Sequence, residues 1–168
     1  SPQVTEKVVS YTNLFHGNEL EFHLGLCNPA VLIPDLCARL PDVSYENYLA
    51  GSDPMALRWS TVVRSIQEAN PEASITVWCN EDTPIIWSKI LTSLAGFENS
   101  HDFDGEYDLL GEIITPEGMQ RFQAYLAAHP PQNDIQKIRT IEAFLEKFVD
   151  PDAIEAEINL PNWDNDYV

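Results

Sequence analysis

The chain has 168 residues, 44% of them hydrophobic and 10% aromatic, which suffices for a buried core in a domain-sized unit. Its 27 acidic and 9 basic residues leave a formal net charge of −18. That field repels nucleic-acid phosphates and anionic membrane surfaces, so neither is expected as a partner.

No apolar run approaches the ~20 residues of a membrane span, and "SPQVTEKVV" lacks the basic-then-apolar order of a signal peptide. A cytoplasmic, bacterial location is the expectation. Cys27, Cys37 and Cys79 are too scattered for a disulfide framework or a zinc site and read as reduced cysteines. The acidity itself reads as a solubility adaptation, or as a face presented to a basic protein partner.

In chain order, "VTEKVVSYTNLF" places Val4, Val8, Tyr11 and Phe15 at helical spacing, with Gly17 as a C-cap. "ELEFHLGLC" alternates, with Leu20, Phe22, Leu24 and Leu26 on one face and Glu21, His23 and Gly25 on the other, the period of a strand. "NPAVLIPDLCARL" reads as a helix opened by Asn28 and Pro29 that Pro34 should bend or break. "SDPMALRWSTVVRSIQEANPEA" reads as one long helix, capped by Ser52 or Asp53 and striped by Leu57, Val62, Ile66 and Ala69. "SITVWC" is a short apolar strand, and "TPIIWSKILTSLAG" is a helix between a Thr83 cap and Gly96. A long helical crossover between two strands predicts that they lie parallel in one sheet. Two strands fall short of the usual ~4–6, so either some strands escape the pattern or, the preferred expectation, the missing ones precede Ser1.

After Gly96 the pattern becomes helical. "FENSHDFDGEYD" is an acidic loop, Thr115 caps a helix, and "NDIQKIRTIEAFLEKFV" sets Ile135, Ile138, Ile141 (or Thr140), Leu145 and Phe148 at helical spacing. A short acidic helix and an extended tail should follow, with Leu160, Trp163 and Tyr167 docking on the chain's own surface or anchoring a partner. The expected organisation is an α/β portion over residues 1–98 and a helical extension over 99–168, packed on the same domain.

Chemistry-bearing motifs are few. Glu81 and Asp82, in "WCNEDTP", follow a strand where open α/β sheets bind ligands, but they also mark a helix entrance. Carboxylates there favour the helix dipole, and the structural reading is preferred. "SHDFDGEYDLLGE" resembles a calcium loop, with Ser100, Asp102, Asp104, Gly105 and Asp108 in place. Its closing position, however, is Gly111, and Glu112 comes one residue late, so a solvated loop is expected and no metal. His16, His23, His101 and His129 lack metal-ligand spacing, and no nucleophile motif supports a catalytic residue.

Residues 19–96 resemble the C-terminal half of a sulfotransferase domain, a variant of the P-loop nucleoside-phosphate fold. In that family a strand ends in Arg-x-Pro and the next helix carries a serine. The two hold the 3′-phosphate of the donor, 3′-phosphoadenosine-5′-phosphosulfate. A helix with an L-x-x-W-like pattern, a strand and a Tyr-Glu-Asp-Leu-like turn follow. "EFHLGLCNPA" matches the first element, and "ALRWSTVVRSIQEANPEASITVWCNEDTP" follows the later order through Trp59, Glu81 and Asp82.

The departures decide what the resemblance implies. Cys27 (or Asn28) stands where the arginine belongs, and the serine position falls among Ile33, Pro34 and Asp35. A thiol offers neither the charge nor the forked donors of guanidinium. Residues 1–18 hold no Gly-rich donor loop, so the 5′-phosphosulfate has no backbone cradle. The resemblance therefore implies a sulfotransferase-like portion that does not transfer sulfate alone and takes the donor only if a complete parent protein restores the site. The alternative is a non-enzymatic, acidic protein-interaction module on the same fold.

Overall fold

The structure, a computed structural model, describes residues 2–98 and 103–153. It is mixed α/β, and the described residues fall into two compact units, 2–80 and 81–153. No described helix is long and apolar enough to cross a membrane.

In the first unit, α1 (Pro2–Leu14) precedes β1 (Glu21–Leu26). The crossover then holds α2 (Pro29–Ala38), α3 (Tyr45–Leu49) and α4 (Trp59–Ala69), and β2 (Ser74–Cys79) follows. β1 and β2 pair in parallel from Glu21 opposite Ser74 to Leu26 opposite Cys79, as the alternating and apolar runs predict. They are the only sheet strands among the described residues. Val8, Ala30, Ile33, Cys37, Pro54, Ile66 and Ala73 are the buried apolar residues among those described in this unit. Thr12 Oγ1 donates to Asn70 Oδ1 at 2.7 Å, and Asn70 Nδ2 returns to the Ile66 carbonyl at 3.0 Å. This chain of bonds satisfies a buried amide where α1 and α4 meet.

Three expectations for this unit need correction. Val8 is buried, but Val4, Tyr11 and Phe15, on the same predicted stripe of α1, are exposed. α2 is not broken at Pro34 but continues as helix to Ala38, forgoing one amide bond; the buried Ala30, Ile33 and Cys37 hold its face in place. The long helix expected from Ser52 begins only at Trp59. Asp53 Oδ1 accepts from the Met55 amide at 2.9 Å and so caps a single 3-10 turn, Pro54–Ala56, after which Leu57 and Arg58 are extended. Asp53 is a cap, as its residue type suggests, but it opens a shorter element.

The second unit contains α5 (Thr83–Leu94), α6 (Asp108–Gly111), α7 (Pro116–Ala128) and α8 (Asp134–Phe148). α5 ends in a Schellman turn at Gly96, φ +68°, with the Phe97 amide donating to the Thr92 carbonyl. Thr115 caps α7 through the Gly118 amide, as expected, and Asn133 caps α8 through the Gln136 amide. Leu110, Ile114, Phe122 and Ile141 form the core, with Ile85, Phe144, Leu145 and Phe148 against it. Gly118 is required there: a Cβ would lie 2.8 Å from Ile114 Cγ1 and even closer to Phe148 Cβ. Ile135, counted on the apolar face of α8, is instead 63% exposed.

Candidate functional site

The carboxyl ends of β1 and β2 bring Cys27, Asn28, Cys79 and Asn80 to one edge of the first unit, because the parallel register sets Leu26 opposite Cys79. The edge is fixed from behind. Trp59 Nε1, at the start of α4, donates to the Cys27 carbonyl at 2.8 Å. Asn28 is the N-cap of α2: its Oδ1 accepts from the Ala30 amide at 2.9 Å, and its carbonyl accepts from Val31 and Leu32. Gly25 leaves room for Trp78 and Asn80, since an added Cβ would sit 3.2 Å from Asn80 Oδ1 and 3.4 Å from the indole. Neither Cys27 nor Cys79 is in a disulfide; Cys27 is partly covered and Cys79 is exposed.

What this edge can do chemically follows from those bonds. A phosphate needs convergent donors, preferably charged. The Asn28 side chain already accepts a bond as a cap, and Cys27 brings a thiol without the forked donors of a guanidinium. The arginine farther along, Arg39, is committed to Asp35 at 2.8 Å. These residues do not fit the 3′-phosphate of a nucleotide sulfate donor.

Glu81 and Asp82 lie in a 3-10 turn, Asn80–Asp82, that leads from β2 into α5, and both are exposed. Thr83 is the first residue of α5 rather than its cap. Asp82 holds the cap position with helical backbone and makes no side-chain capping bond. The 3-10 turn runs directly into the helix, so the extended geometry that a threonine cap needs never forms.

His23 escaped sequence reasoning. On the face with Glu21 and Gly25 it should have been solvated, yet its side chain is only 13% exposed. Nε2 lies 3.4 Å from Glu21 Oε1, and Trp78 stands beside the ring, centroids 6.5 Å apart. Nδ1 is buried with no hydrogen-bond partner. Period-two alternation marks the face but not what Trp78 covers across Gly25.

Of the calcium-like loop, Ser100, Asp102 and also His101 lie outside the described residues, as do Trp163 and Tyr167. Among the described residues no cluster of His, Cys, Asp and Glu has metal-ligand geometry. No protein-family model matches the chain, and no curated protein or solved structure matches it either.

Proposed function

We propose that residues 19–96 are a sulfotransferase-like α/β portion corresponding to the C-terminal half of that domain, and that this chain alone does not transfer sulfate. The observation that supports the reading is the parallel β1–β2 pair joined by a helical crossover, with Cys27 and Asn28 at the carboxyl end of β1. That is the position from which the family holds its donor's 3′-phosphate. The chemistry there supports inactivity: a thiol, a capping amide and an Asp35–Arg39 pair replace an arginine and a serine. 3′-Phosphoadenosine-5′-phosphosulfate becomes a ligand only where the missing donor groups are supplied.

The test restores those groups and measures binding. Isothermal titration of the chain with 3′-phosphoadenosine 5′-phosphate should give no saturable heat. Cys27→Arg with Asp35→Ser should introduce measurable affinity, since each charge-assisted hydrogen bond contributes about 1.5–3 kcal/mol. Circular dichroism confirms that the variant is folded. Micromolar binding by the parent chain, or identical traces for parent and folded variant, would overturn the reading.

A further inference from the structure

A trough runs along the α7–α8 hairpin, in the second unit. It consists of two hollows, about 730 and 370 Å³, that share Tyr125, Ala143 and Phe144. Its floor is aromatic. Tyr125 stacks on His129 with centroids 4.8 Å apart, Tyr125 meets Phe144 at 5.7 Å, and Phe144 meets Phe148 at 5.8 Å.

The rim is cationic. Arg121, Arg139 and Lys147 line the hollows, with Arg121 and Lys147 lying 5.6 and 5.5 Å from the Phe148 ring centroid. No lining residue is acidic, although the chain has 27 acidic residues. Three of its nine basic residues meet at this one surface. Arg121 is paired with Glu117 at 2.7 Å; Arg139 and Lys147 form no ion pair among the described residues.

We propose that this trough docks a protein segment that is acidic and carries aromatic side chains. Charge complementarity selects the acid: a cationic rim on a chain of net charge −18 is a local exception that attracts what the remaining surface repels. The aromatic floor selects the apolar component, because aromatic side chains anchor interfaces and bury large area at low entropic cost. Shape selects a chain over a small molecule. The trough is shallow and follows α8 from Gln136 to Phe148, about 18 Å at 1.5 Å per residue, whereas small-ligand sites enclose most of their ligand. A segment laid along a helical groove matches that length. The proposal does not depend on the sulfotransferase reading.

The probe is a fluorescein-labelled random copolymer of Glu and Tyr, titrated with the full 168-residue chain and read by anisotropy; polyglutamate is the charge-only control. Saturable binding is expected, at least about fivefold tighter than to polyglutamate and weaker as salt screens the rim. Arg139→Gln with Lys147→Gln should weaken binding about tenfold, and Tyr125→Ser should remove the preference for the tyrosine copolymer. Tyr125 is 43% exposed, so that variant keeps its fold, which circular dichroism checks. No saturable binding, or binding unaffected by both variants, overturns the proposal. So does equal affinity for a single-stranded oligonucleotide or for phosphatidylserine vesicles. A concentration-dependent dimer in sedimentation velocity that Lys147→Gln dissolves would assign the trough to a second copy instead.

Discussion

A histidine nitrogen enclosed without a partner loses its water and gains nothing in return, at a cost of about 1–3 kcal/mol. His23 Nδ1 is in that position. His23→Leu keeps the bulk beside Trp78 and removes the orphan, so it should leave stability unchanged or raise it by up to ~1 kcal/mol. The urea midpoint measures this, and a clear fall would show that the imidazole is bonded in a way its geometry does not indicate. Asp82 calls for the opposite expectation. It is exposed and makes no capping bond, which leaves mainly the dipole of α5. Asp82→Asn should cost less than about 0.5 kcal/mol. A drop of roughly 100-fold in any transferase rate of the parent protein, at unchanged melting, would instead mark a general base.

Elements were legible where local chemistry fixes them. Alternation gave β1, the Asn28, Thr115 and Gly96 signals gave helix ends, and the crossover gave the parallel pairing. Tertiary decisions were not legible. Periodicity proposes an apolar face for α1 and α8, but what covers that face depends on the packing, so Tyr11 and Ile135 are exposed. The edge at Cys27 and Asn28 was readable because it ends a strand. The trough was not, because Arg121, Arg139 and Lys147 converge only once α7 and α8 fold back on each other.

Substitutions at two places test this packing. Gly118→Ala pushes a methyl group into Phe148 and Ile114 and should cost about 2–3 kcal/mol by denaturant titration, the range for overpacked cores. Lys137 Nζ bonds Glu106 Oε2 at 2.8 Å, with both side chains 10% exposed. Lys137→Met alone strands a buried carboxylate and should cost about 3–5 kcal/mol. With Glu106→Gln added, most of that loss should return, because the uncompensated charge is gone. A double-mutant cycle with additive losses would contradict the pairing.

For the molecule as a whole, charge gives an expectation whose sign can be worked out. Twenty-seven acidic residues against nine basic ones repel one another in the folded chain, and unfolding moves those charges apart. Salt therefore has two opposing effects. It screens the exposed pairs Arg39–Asp35 and Arg121–Glu117, each contributing at most about 1 kcal/mol. It also screens the net repulsion of −18 charges, many of them within a Debye length of ~10 Å at 0.1 M. The Lys137–Glu106 pair is buried and responds little. Two weak attractions against so large an excess of like charge leave repulsion dominant. Raising sodium chloride from about 50 to 500 mM should therefore raise Tm by several degrees, at roughly 2–4 °C per kcal/mol for a chain of this size. Differential scanning calorimetry at pH 7 measures the shift, with potassium chloride as a check on ion identity. A lower Tm in both salts would mean that attractive pairs, not net repulsion, govern the electrostatics of the folded chain.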